Sequence, residues 1–272
     1  MDVVQTYGVA ADRRQDGGHE RIQEELLVRG FSVIESVLDE TEIVELIDAM
    51  DRIYRKQCEE VGGEDQLRRI NDADIVRCLL AYDESYMRLA THPALMSVIK
   101  SVLGENFVIL MQNGIINRPD RKQFQTAWHR DLNYQHWVST RPLALSTLVT
   151  LEDFKEKTGG TAFLPSSHRF ENFPSDQFIR NGQVTPQVPK GSFIVFDSMT
   201  FHRAGVNRSD RIRRGVNHVF GAPILSQQVD IPAMLGRDAP DDPWLAGFLG
   251  YRWNPVQDVA AWRRRKISAA AA

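Results

Sequence analysis

Cysteine is scarce in this chain of 272 residues: Cys58 and Cys78 are the only two. They are too few for a disulfide framework and are not spaced as a zinc pair, so they read as reduced structural thiols. Long apolar runs are also missing, and none approaches the roughly 20 residues that cross a bilayer. Residues 1–18 are polar and glycine-containing, with no basic stretch leading into an apolar one, so no signal peptide is read there. A flexible N-terminus and a cytoplasmic protein without membrane contact are the expectation. Positive charge is not in excess either: 33 Lys and Arg against 36 Asp and Glu leave a net charge of -3, which argues against a nucleic-acid partner. There is no internal repeat, and no low-complexity tract beyond the alanines that close the chain.

What is present suits one sizeable core, since barrels of this length often form one domain. We expect one domain over 19–262, followed by a basic, alanine-rich tail over 263–272 in which the run from Arg263 to Lys266 is solvated. The first half reads as helical. Asp39 and Glu42 have the spacing of a capping box, and the helix after them stacks Ile43, Ile47, Met50 and Tyr54 on one stripe. Pro93 opens a further helix that Gly104 ends, which places His92 at a cap rather than on a metal. From 107 onward the texture changes to short β-type runs at 107–111, 145–151, 192–196 and 215–220, separated by Gly, Pro, Asn and Asp clusters. Helices first and strands afterwards predict an α+β protein whose sheets form a sandwich or barrel.

The chemistry concentrates at His129 and Asp131, answered by His202 and then by Arg213 eleven positions later. On an extended segment two residues spaced i, i+2 emerge from one face, so His129 and Asp131 can serve one ion. His202 follows the apolar strand at 193–196 and can add a third ligand. Two imidazoles and a carboxylate leave part of the metal's coordination open, a geometry that suits non-haem Fe(II). Among seven histidines a His-x-Asp pair is weak by itself; a hydrogen-bonded surface pair reads the same way. Arg213 strengthens the case. It shares a strand face with Gly215, Asn217 and Val219, where a guanidinium needs an anion, and a dicarboxylate fits its fork.

These residues, together with the stretch GGTAFLPSSHR at 159–169, resemble the phytanoyl-CoA dioxygenase (PhyH-like) branch of the Fe(II)/2-oxoglutarate oxygenases. The resemblance runs from about Glu20 to Phe220 and departs at Ser166, where the family usually has glycine. It implies a double-stranded β-helix, the cupin-like jelly roll, flanked by helices. It further implies Fe(II) held by His129, Asp131 and His202, with 2-oxoglutarate anchored on Arg213 and O2 as co-reactant. Related halogenases lack the metal carboxylate, so Asp131 favours hydroxylation, or another oxidative outcome such as desaturation or cyclisation, over halogenation. The expected substrate is a small molecule of secondary metabolism or catabolism with an aliphatic C–H bond, and succinate and CO2 are the expected co-products. A cupin-like metal isomerase or sensor is the competing class; it has no need of Arg213. Monomer and homodimer both stay open.

Other positions enter on the same resemblance. Gln112 and Asn113 close the strand at 107–111, where family members place polar groups over cosubstrate or substrate. Arg118 precedes Pro119 at a position from which a basic residue can reach 2-oxoglutarate, and Thr147 is a candidate hydroxyl donor to the cosubstrate carboxylate. Asn133, Tyr134, His136 and Trp137 form a polar-aromatic cluster that could line the substrate entrance. Trp128, alternating with the ligands, is expected to pack in the core. His168 reads as structural, and His218, opposite Arg213, as packed or solvated. The aromatic segment 244–253 is expected to pack against the domain.

Overall fold

Antiparallel strand pairing builds the centre of the molecule. The computed structural model describes residues 18–121, 124–132, 135, 137–236, 238–253, 255 and 258–270. In chain order the elements are α1 (Gly18–Arg29), β1 (Phe31–Ile34), α2 (Glu40–Glu60), α3 (Glu64–Arg69), β2 (Ile75–Arg77), α4 (Glu84–Ala90), α5 (Pro93–Leu103), β3 (Val108–Asn117) and β4 (Ala144–Thr150). They continue with β5 (Ala162–Phe163), α6 (Asp176–Gly182), β6 (Phe193–Asp197), β7 (His202–Arg203), β8 (Arg213–Gly221), α7 (Ile231–Leu235), α8 (Pro243–Phe248) and α9 (Val259–Ala270). Six strands form one sheet in the order β1-β6-β4-β8-β3-β2, and β5 pairs with β7 in a second. The helix-flanked jelly roll is therefore the architecture. No helix among the described residues is long and apolar enough to cross a membrane.

The period-2 alternation of side chains gives the large sheet two different faces. One carries Leu145, Val149, Val195, Val216 and Phe220, packed in a single core with Leu46 and Met50 of α2 and Leu95 and Ile99 of α5. Burying each such side chain contributes roughly 1.5–3 kcal/mol. The other face carries Ile75, Ile115, Leu148, Ile194 and Phe196, which pack with Phe163 of β5 in a second core. This inward face looks toward the small sheet.

The local signals of the first half hold. Asp39 and Glu42 form both bonds of the capping box, and Ile43, Met50 and Tyr54 are buried along α2. His92 caps α5, its Nδ1 accepting from the Ala94 N–H at 3.3 Å. Trp244 and Phe248 of α8 pack edge-on to Phe107, with Lys100 Nζ 4.9 Å above the Trp244 ring, so this part of the aromatic segment packs against the domain as expected.

One strand runs longer than its sequence suggests. The polar triplet Gln112, Asn113 and Gly114 reads as a terminus, yet β3 continues through it to Asn117. Gln112 and Asn113 find partners inside the fold, and a Cβ on Gly114 would stand 2.9 Å from Met50 Cε. The missing side chain is what lets α2 lie on β3.

Candidate metal centre

His129 and His202 face each other as an isolated antiparallel pair and exchange both backbone hydrogen bonds, each 3.0 Å. That exchange fixes the two rings side by side, with centroids 4.3 Å apart. Asp131 follows at i+2, its N–H donating to the Ser198 carbonyl at 3.0 Å, so its carboxylate emerges on the same side. His129 Nδ1 lies 2.9 Å from the Ala127 carbonyl and His202 Nδ1 lies 3.0 Å from that of Thr200. In the tautomer that satisfies these carbonyls, Nδ1 carries the proton and Nε2 keeps its lone pair. The Nε2 atoms of His129 and His202 stand 4.0 and 3.5 Å from Asp131 Oδ1, and one ligand atom from each residue falls within 4.8 Å of the others.

Burial, with the neighbouring His129 adding to it, pushes His202 down to about 4. The ring is thus neutral at physiological pH, as a metal ligand must be. Asp131 Oδ2 is buried without a hydrogen-bond partner among the described residues, and an unpaired buried carboxylate oxygen is costly. A divalent cation between the three side chains would compensate that carboxylate and take both Nε2 lone pairs, so the donor set fits ferrous iron.

Arg213 opens β8 on the inward face and is 2 % exposed. One Nη donates to the Gly159 carbonyl at 2.6 Å, the guanidinium carbon sits 4.2 Å over the Phe154 ring, and Nε is buried without a partner among the described residues. Gly159 adopts φ +75°, and a Cβ there would meet Asn117 Nδ2 and the Gly205 carbonyl at 2.6 Å; glycine brings that carbonyl within reach of the arginine. Burial lowers Arg213 to about 10, opposed by the charge of Glu152, so it remains a cation. The acid that could neutralise it is engaged elsewhere: Glu152 bonds Arg214, which also holds Asp51. A buried guanidinium without a carboxylate has an open place for an anion.

Two expected cosubstrate contacts lie on the wrong face. Thr147 and Gln112 are cross-strand neighbours of His218 on the helix-packed side of the sheet. Thr147 Oγ1 stands 3.0 Å from His218 Nδ1 and Gln112 Nε2 stands 3.0 Å from His218 Nε2. They serve a fully buried histidine that burial pushes down to about 3. Strand parity excludes them from the side that holds Arg213. Arg118 is likewise drawn away, its Nε donating to Asp74 at 2.6 Å.

Asn113 does face inward, opposite Asn217. Trp137 is exposed, and Asn133, Tyr134 and His136 lie outside the described residues. Trp128 is half-buried beside Leu164 and Phe201 with Arg203 over its ring, in keeping with a packing role.

Sequence reasoning passed over Arg130. It points away from the ligands, is 6 % exposed, and donates to the carbonyls of Met199, Ser167, Phe170 and Glu171 with its carbon 3.8 Å over the Phe201 ring. A charged residue alternating with two ligands was the available signal. Ser166 takes φ +63°, the left-handed conformation that favours glycine; here its N–H and Oγ bond the Arg29 and Val28 carbonyls, each at 2.7 Å.

The comparisons with known proteins agree with this geometry. The family profile described as Phytanoyl-CoA dioxygenase (PhyH) matches residues 27–215. An uncharacterized protein of Mycobacterium tuberculosis is 30% identical over 224 residues, 80% of each chain. Among solved structures, EctD from S. alaskensis with 2-oxoglutarate and 5-hydroxyectoine superposes with a TM-score of 0.65 at 20% identity, covering 84% of this chain and 87% of that one. The epimerase SnoN in complex with Fe3+, alpha ketoglutarate and nogalamycin RO gives 0.61 at 20% identity, covering 82% and 91%. Fold, donor set and family profile converge: the chain belongs to the phytanoyl-CoA dioxygenase family of Fe(II)/2-oxoglutarate-dependent oxygenases.

Proposed function

We propose that this chain hydroxylates an aliphatic C–H bond of a small-molecule metabolite, consuming 2-oxoglutarate and O2 and releasing succinate and CO2. The observation that carries the reading is the pairing of an inward-facing His129, Asp131 and His202 set with Arg213, a buried cation that has no carboxylate of its own among the described residues. The two imidazoles and the carboxylate would hold Fe(II), and Arg213 would take the distal carboxylate of 2-oxoglutarate through its guanidinium. Iron with the keto acid bound supplies oxygen activation coupled to decarboxylation; the protein supplies aim and the exclusion of water.

The roles of the chain's own residues follow from their surroundings. The Ala127 and Thr200 carbonyls hold the His129 and His202 rings in one tautomer. Phe163 and Phe196 wall His202 on the apolar side, with centroids 5.9 and 4.7 Å away, and keep bulk water from that flank. Asp131 occupies the place a halide would need, which favours hydroxylation over halogenation. Mixing the protein anaerobically with Fe(II) and 2-oxoglutarate should give the weak visible band of a chelated keto acid. The same protein in air should release succinate, and a true substrate should accelerate that release. A colourless mixture without succinate release would count against the assignment and favour an isomerase or sensor on this barrel.

A further inference from the structure

The edge strand β2 places Arg77 on the inward face, opposite Asn113 of β3, and Asn113 is in turn opposite Asn217 of β8. One register row across three adjacent strands is therefore polar. Ile75, Ile115 and Gly215 flank it on one side, Met111 and Val219 on the other. Asn113 and Asn217 are 4 % and 6 % exposed, and Asn217 Oδ1 has no hydrogen-bond partner among the described residues. Leaving a buried acceptor unmade costs about 1–3 kcal/mol, so a donor from outside the protein is the natural complement. Along β8 this row lies four residues from Arg213, about 13 Å at the strand rise. The two anchors are separate.

One end of the row, at Arg77, lines a cavity. A cavity of about 320 Å³ opens between β2 and the segment bearing Phe124 and Gln125, walled by Arg68, Arg77, Arg121, Asp74 and Ile75. The Gln125 carbonyl accepts from Ala204 N–H at 2.8 Å, two residues past His202, and the same segment runs on to His129. The cavity thus borders the segment that leads to His129. Its wall shows three guanidinium groups against one carboxylate, and Asp74 is already engaged by Arg118 and Arg121. Glu64, outside the wall, pairs with Arg68 and stands 3.6 Å from Arg121.

Arg77 is held from behind. Asp72 takes its Nε and one Nη, and the Gln57 amide brackets its backbone, accepting from the Arg77 N–H at 2.9 Å and donating to its carbonyl at 2.6 Å. The other Nη turns toward Asn113 and Gln228, 2.9 Å from the Asn113 amide oxygen when that amide is oriented to accept. With Asp72 on Nε and one Nη, this remaining Nη is the donor that Arg77 can turn to a ligand, as one charge-assisted bond to a carboxylate oxygen.

We infer that Arg77, Asn113 and Asn217 form the substrate-anchoring row, and that the substrate is a small carboxylic acid carrying a hydroxyl or amine donor that reaches Asn217. This rests on the iron and 2-oxoglutarate reading above. The test measures succinate release by the Fe(II)-loaded enzyme over a panel of hydroxy and amino acids and their matching primary carboxamides. Acids should stimulate and the matching amides should not. Arg77→Met should raise the KM of a stimulating acid about 10- to 100-fold, the loss of a charge-assisted pair, with 2-oxoglutarate affinity in the anaerobic band held. Arg77→Lys, which keeps the charge but shares its donors between Asp72 and the ligand, should fall between, and decides the matter if Arg77→Met does not fold. Amides that stimulate as well as acids, an unmoved KM, or no stimulating acid in the panel overturns the inference. Absence of the anaerobic band in the wild-type protein would instead strike the iron reading beneath it.

Discussion

Arg130→Met tests whether the strand that carries two of the metal ligands is held from its reverse side. Methionine keeps a long apolar side chain over the Phe201 ring and removes every guanidinium donor. Of the four carbonyls that Arg130 serves, those of Met199 and Ser167 are reached by fully buried bonds of 2.8 and 3.1 Å, while the Phe170 and Glu171 bonds are partly buried. Each fully buried carbonyl left unpaired costs about 1–3 kcal/mol, and the two nearer solvent can recover water. Burial works against the charge and lowers the pKa of Arg130, so removing the guanidinium also returns part of its desolvation cost. The balance is a loss of roughly 2–4 kcal/mol, read as a lower urea midpoint at unchanged slope on the metal-free protein. Arg130→Lys reaches fewer carbonyls and should lose about half as much. An Arg130→Met midpoint within about 0.5 kcal/mol of wild type, the range of an ordinary surface substitution, would refute the clamp.

Three further outcomes are expected. Asp131→Ala should abolish the anaerobic keto-acid band and lower succinate release by more than roughly a hundredfold, since even outer partners of metal ligands are worth about 10- to 100-fold. Arg213→Met should raise the 2-oxoglutarate requirement about 10- to 100-fold yet leave the ligand-free protein as stable as wild type or more so, because an unpaired buried cation goes; thermal scans with and without 2-oxoglutarate read both effects. His218, pushed down to about 3 from 6.5, stays neutral in the fold while the unfolded chain takes up its proton. Its contribution is therefore complete above pH 6.5 and is lost as pH falls toward 3. Asp197, raised by burial to about 6, acts in the opposite sense below that pH, so the contribution is read as the difference between wild type and His218→Gln. Equal acid slopes for the two proteins would remove His218 from the account.

Much of the site was legible because strand alternation is simple arithmetic. His129 and Asp131 had to share a side, and Arg213 had to share one with Asn217. Thr147 and Gln112 went astray because alternation says which residues on one strand agree, not which face of the next strand they match. That needs the register, which pairs both with His218 and turns them to the helices. Arg118 was misplaced for another reason: Asp74, 44 residues earlier, claims it, and a contact of that separation leaves no local trace. Arg77 was invisible for the same cause, since a three-residue edge strand has too little pattern to declare a face.

The seam that joins the ligands has a consequence for how the molecule breathes. Among the described residues, and apart from the Arg130 clamp, the segment from Gln125 to Asp131 is tied to its neighbours by few backbone bonds: the His129–His202 exchange, Asp131 to Ser198, and Ala204 to Gln125. Short seams of this kind open at lower free energy than long ladders such as β3–β8. A cation gripped from both sides would act there as a stitch, raising the opening energy by its own binding energy. Amide exchange at His129 and His202 would then report iron loading directly, and the unloaded protein would open more readily to proteases in the stretch it relies on to hold its metal.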